Sequence, residues 1–213
     1  MKFPWKLKRK PVIEDLVGHV DKHYGPGFRL LHKGELEGFP ITSMSRFDAQ
    51  NHCTLASLTA VFDFYREQGF SGIPKEEGGL FQSFLKEARE NFYYFPWIGT
   101  TPLFIPPLAR SGWRRYGYRG GSKNHFFLKN PPALFDKIKE EIDSGRPLLM
   151  NFVFGPYRKH TVTCMGYASY INGGRKLYFA MVADNWSWKP RYVDLQKLGW
   201  GGLSLFSVTT VRP

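Results

Sequence analysis

Cysteine is nearly absent: Cys53 and Cys164 are the two in 213 residues. Two thiols build no disulfide framework. A four-ligand zinc site would need histidines at ligand spacing. Of His19, His23, His32, His52, His125 and His160, only His19 and His23 form a near pair. No carboxylate or third-histidine pattern accompanies them, so they are read as surface residues on one helix face. No metal or cofactor is implied. Long apolar runs are also missing: nothing approaches the ~18 residues a membrane helix needs. No apolar segment follows the basic start, so a secretory signal is not expected and the cytoplasm is the expected location. Acidic side chains are in short supply, 18 against 30 basic, giving a net charge of +12. Such a surface attracts anionic partners without naming one.

Apolar residues are plentiful, at 42%, and aromatic residues make up 17%. A chain of this length and composition can bury a core unaided, which excludes disorder for most of it. The expected organisation is a basic arm and lead-in over residues 1–40, then one domain over 41–213. In the arm, Lys2, Lys6, Lys8, Arg9 and Lys10 surround Phe3 and Trp5. It is read as solvated.

Periodicity then sets out the elements. Val12–Tyr24 reads as a short helix and Phe28–Leu31 as a strand between glycine turns. Leu55, Leu58, Val61, Phe62 and Tyr65 recur at helical steps, which predicts a helix over Thr54–Gln68. Leu80–Phe92 is a second, and Tyr93–Pro107 reads as irregular. Asn130 caps a helix to Gly145, with Pro131 and Pro132 in its first turn. Leu148–Val153, Thr161–Tyr170, Leu177–Val182 and Leu203–Val211 read as strands, with a hairpin at Asn172-Gly173-Gly174. Helices first and an antiparallel sheet after them make an α+β fold. Arg110–Lys129 interleaves basic and aromatic residues, a pattern able to bind single-stranded nucleic acid. Without a recognised module, nucleic acid is not expected as a partner.

The chemistry-bearing residues fall in a definite order. Cys53 stands where a polar loop meets an amphipathic helix, so the helix amides and dipole favour its thiolate. His160 opens a strand after the polar stretch Gly155–Lys159 and is placed to act as base. Asp184 ends the paired strand, where a carboxylate can fix the tautomer of a histidine. Asn185, adjacent, offers an amide oxygen for the same task, and Trp186 can shield the bond from water. Taken singly, each has a plainer reading as a buried thiol, a surface histidine and a turn. His52 has no assigned role, and Cys164 is read as core.

Four segments carry a family resemblance. Cys53-Thr54-Leu55-Ala56-Ser57-Leu58 resembles the Cys-Gly-Pro-Ala-Ser-Leu segment of papain-like cysteine peptidases. The nearest set is the group related to the double-glycine leader peptidases of bacteriocin exporters. Ser144-Gly145-Arg146-Pro147-Leu148 is similar to their Gly-Arg/Lys-Pro entry into a central strand. His160-Thr161-Val162-Thr163-Cys164-Met165-Gly166-Tyr167 resembles their His-Ala-Val-Val-Val-Val-Gly-Tyr. Asp184-Asn185-Trp186 fits both their Asp-Pro-Trp and papain's Asn-Ser-Trp. The resemblance covers roughly residues 45–190. It departs at Thr54 and Leu55, which replace glycine and proline. The interval from Cys53 to His160 is also shorter than in the papain enzymes. The family's oxyanion-hole glutamine, six residues before the cysteine, is Phe47 here.

The resemblance implies a papain-like fold of N-terminal helices packed on a C-terminal antiparallel sheet. It also implies a cysteine peptidase or amidohydrolase that forms an acyl-enzyme on Cys53. His160 would be the base and Asp184 its orienter, with Gln50 or Asn51 as oxyanion donor. The substrate is then a peptide or amide, passing Tyr93–Trp97 or the basic loop. An acyl transferase of the phytochelatin-synthase type and a non-catalytic binding module are the alternatives on the same fold.

Overall fold

In a computed structural model of the chain, residues 12–126, 130–198 and 204–213 are described. The basic arm, Phe127–Lys129 and Leu203 lie outside them. The architecture is α+β, with five helices and a seven-stranded antiparallel sheet among the described residues. The helices α1 (Leu16–Tyr24), α2 (Cys53–Glu67), α3 (Glu77–Glu90), α4 (Ile105–Arg115) and α5 (Pro131–Asp143) precede most of the sheet. The strands are β1 (Arg29–Glu35), β2 (Gly121–His125), β3 (Leu148–Phe154), β4 (His160–Asn172), β5 (Arg175–Ala183), β6 (Arg191–Asp194) and β7 (Ser204–Arg212). No helix among the described residues is long and apolar enough to cross a membrane.

The sheet runs in the order β2-β7-β3-β4-β5-β6. The long β4 holds β5 along one side. On its other side β3 pairs with residues 160–164 and β1 with 166–171. The handover falls at a register shift between Cys164 and Gly166. There a side chain at Gly166 would press on the main chain of β1: a Cβ would sit 2.7 Å from the Gly34 carbonyl oxygen. The lead-in before residue 41 is thus tied into the sheet by β1. Leu16 and Val20 of α1 are buried against Phe179 in a second, smaller core.

Three differences from the sequence expectations have physical causes. Tyr93–Pro107 is not wholly irregular, because α4 starts inside it, with prolines in its first turn, where the missing N–H donor costs no intrahelical hydrogen bond. The described aromatic residues of Arg110–Lys129 divide: Trp113 is fully buried and packs 4.3 Å from the Phe62 ring, Tyr116 and Tyr118 are partly buried against the core, and Phe126 is exposed. Short β2 and β6, at the two edges of the sheet, lack the apolar runs that mark the central strands.

The core helix is α2, most of whose side chains are buried around its whole circumference. The end of the sheet carrying the start of β4 and the end of β5 meets the N-terminus of α2. That junction gathers the residues singled out above.

Candidate active site

Cys53 is the first residue of α2. His52, at the cap position, makes no side-chain capping bond. The first-turn amides are therefore not taken up by a cap and can face an anion. The His52 ring turns away instead, bonding the Met44 carbonyl at 2.9 Å and packing edge-on to Phe81.

A chain of buried polar groups fixes this first turn to the sheet. The Thr161 hydroxyl donates to Asn151 Oδ1 at 3.0 Å, so its 2.9 Å bond with Thr54 takes the Thr54 proton. Asn151 in turn donates to Ser207 and Thr209, each at 3.0 Å. Every member is buried, and a satisfied network of this kind specifies one arrangement.

His160 starts β4, opposite Phe152 of β3. Its Nε2 bonds the main-chain carbonyl of Asp184 at 2.7 Å. With Nε2 so engaged, the hydrogen bond between His160 and the Cys53 sulfur falls to Nδ1. Burial pushes the Cys53 thiol up. The charge and hydrogen bond of His160 and the amides of Thr161 and Thr54 pull it down further, to about 7. Trp186 stacks on the imidazole with ring centres 4.2 Å apart, and Tyr157 stacks on Trp186 at 5.4 Å.

Asp184 differs from its expected placement. Its carbonyl, not its carboxylate, is what bonds His160. The carboxylate is fully buried and taken by two other donors. These are the Trp186 amide at 3.0 Å and Arg191 Nη1 at 2.5 Å. A buried carboxylate goes to the strongest available donor, and a guanidinium outcompetes an imidazole. Asn185 has φ of 61°, a left-handed conformation that breaks strand alternation. Its amide donates to Ser57 Oγ at 2.7 Å rather than facing the histidine.

The expected oxyanion donors sit on the loop before α2. Asn51 Nδ2 donates to the Pro96 carbonyl at 2.6 Å, and the Gln50 carbonyl accepts from the Tyr94 hydroxyl. Both side chains are exposed. Phe47 is buried and stacked on Phe81 at 4.1 Å, so that position is part of the core. The aromatic segment Tyr94–Gly99 therefore lies against the loop leading to Cys53, with Trp97 and Ile98 exposed. Phe154 and Trp188 are exposed as well.

Sequence reasoning left Arg191, Tyr157 and Asn151 without a role. Ser57 lay inside the quoted motif, which was a usable signal. Arg191 offered none, since it is an ordinary cation in a strand too short to read. Cys164 is core as expected, buried, with its sulfur 3.3 Å from the Gly166 carbonyl. His19 is half-buried rather than superficial, bonding Asp194 at 3.0 Å. No cluster of metal-ligating side chains occurs among the described residues. Compared with known proteins, the chain matches no protein-family model and no curated sequence.

Proposed function

We propose that this chain is a papain-like cysteine hydrolase that cleaves a peptide or amide bond through an acyl-enzyme. The observation that carries the reading is the Cys53–His160 pair: a thiol at an uncapped helix start, hydrogen-bonded to an imidazole that a carbonyl and an indole hold in place.

The chemistry follows from those groups. The Cys53 thiolate attacks the substrate carbonyl, and the main-chain amide of Cys53 at the helix start is the nearest donor for the oxyanion. A side-chain amide is not required for this, although the buried Phe47 and the engaged Asn51 leave the site with fewer donors. The imidazolium of His160 gives its proton to the leaving amine as the C–N bond breaks. It then takes a proton from water, whose oxygen attacks the thioester and frees Cys53. Trp97 and Ile98, exposed on the segment beside the loop before α2, suit apolar substrate residues.

The test is alkylation by iodoacetamide from about pH 4 to about pH 9, with the adduct located by mass spectrometry. Cys53 is expected to titrate near pH 7. In His160→Ala the midpoint moves to or above the ordinary thiol value of about 8.5, because burial remains and the stabilising cation is gone. A wild-type Cys53 that titrates at about 8.5, or is inert until unfolding, would sink the catalytic reading. Cleavage of a fluorogenic peptide-amide library, abolished in Cys53→Ala, then identifies the substrate.

A further inference from the structure

We infer that Arg191 is a positioning residue for the Cys53–His160 pair, acting through the buried carboxylate of Asp184. The inference rests on the hydrolase reading above. Three attachments hold the turn at Asp184–Trp186. Arg191, at the start of β6, binds the Asp184 carboxylate, and the Trp186 amide closes on the same group. The Asn185 amide grips Ser57 on α2. The Asn185 carbonyl accepts from the Met44 amide at 2.8 Å. This turn presents two things to His160: the Asp184 carbonyl and the Trp186 ring.

The acceptor facing the imidazole is thus a neutral carbonyl, and its position depends on an ion pair behind it. The Asp184 side chain has no exposed surface, and Arg191 is only 16% exposed. Without the guanidinium, the carboxylate is left buried and uncompensated, so the turn must open to water. Opening it withdraws the carbonyl and the indole together. Glu14 also pairs with Arg191, at 3.0 Å, but is 62% exposed.

The test uses the full chain and the alkylation midpoint of Cys53. The wild type comes first: a midpoint near pH 7 establishes the thiol–imidazole pair. An ordinary midpoint defeats the hydrolase reading itself and this inference with it. Given the pair, Arg191→Gln is expected to raise the midpoint by about one unit and slow alkylation at pH 6 about tenfold. Arg191→Lys, which restores a cation, should recover most of the shift. Glu14→Gln should change nothing. Asp184→Asn leaves one acceptor oxygen where the Trp186 amide and Arg191 each used their own, so its midpoint should rise about as far as that of Arg191→Gln, and an unchanged midpoint overturns the inference. If Arg191→Gln keeps the wild-type midpoint, the inference is overturned. If Arg191→Gln does not fold, Asp184→Asn decides. A rise as large as that of His160→Ala would show that the carboxylate acts on the imidazole directly, which also overturns it.

Discussion

Cys53 and Cys164 share a chemistry and differ in everything their surroundings do to it. Cys164 lies on β4, where burial outweighs one main-chain hydrogen bond with Gly166 and pushes its thiol up to about 12. Cys53 is partly exposed, and an imidazole and two amides overcome its burial penalty. At about pH 7.5, iodoacetamide is therefore expected to modify Cys53 alone. Cys53→Ala should give no adduct while native and one adduct, on Cys164, after denaturation. Modification of Cys164 in the folded protein would show that β4 is more open than its packing indicates. At this scale the sequence was informative about residue type and silent about atoms. Cys53, His160 and Asp184 were each singled out, yet nothing in their order shows that Asp184 contributes its carbonyl.

At the scale of elements, β4 decides where the site can be. It serves β5 along most of its length and two successive partners on its other side. The change of partner needs close main-chain approach at Gly166. In Gly166→Ala the added methyl would meet backbone, at 2.7 Å from the Gly34 oxygen and 3.2 Å from Glu35. Backbone cannot swing aside as a side chain can. A loss of about 1–3 kcal/mol is expected, or a Tm lower by very roughly 2–10 °C for a chain of this size. A melt monitored by circular dichroism checks it, and an unchanged Tm would mean that β1 and β4 lie farther apart. The central strands and α2 and α5 were legible from periodicity and caps. Asn130 does accept from the Ala133 amide at 3.1 Å. The start of α4 was obscured by Pro106-Pro107, a pair equally at home in a loop and in a first turn. The short β2 and β6 carry too few residues for any alternation to register.

Across the whole molecule, one buried carboxylate joins distant parts of the chain. Glu141 of α5 has no exposed side-chain surface and meets Lys137, Arg146 before β3 and Arg212 at the end of β7. Burial alone would raise its pKa, but the hydrogen bonds from Arg212, Arg146 and Lys137 bring it down from 4.5 to about 2. A depressed carboxyl contributes stability that is fully present above its unfolded value and is lost as pH falls through the folded one. This part of the acid limb should therefore lie between about pH 4.5 and pH 2. Glu141→Ala is expected to cost about 3–5 kcal/mol at pH 7, because three cations lose their shared partner. Its stability should also fall less steeply than the wild type's over that acid range. Urea titrations at pH 7 and pH 3 measure both, and parallel acid limbs would contradict the assignment.

The sequence by itself determined the fold class and the principal elements, because hydrophobic period and cap residues are local signals that each segment carries alone. It also set out the order Cys53, His160 and Asp184, because the resemblance lies in short contiguous motifs. Only the tertiary structure decided which atoms meet. Arg191 is close to Asp184 because β6 returns antiparallel to β5, and this diverts the carboxylate and leaves the carbonyl to hold His160. Phe47 became core because Phe81 of α3 packs against it. Competition among donors for one buried carboxylate is settled by three-dimensional distance and burial, neither of which is written in the spacing of residues along a chain.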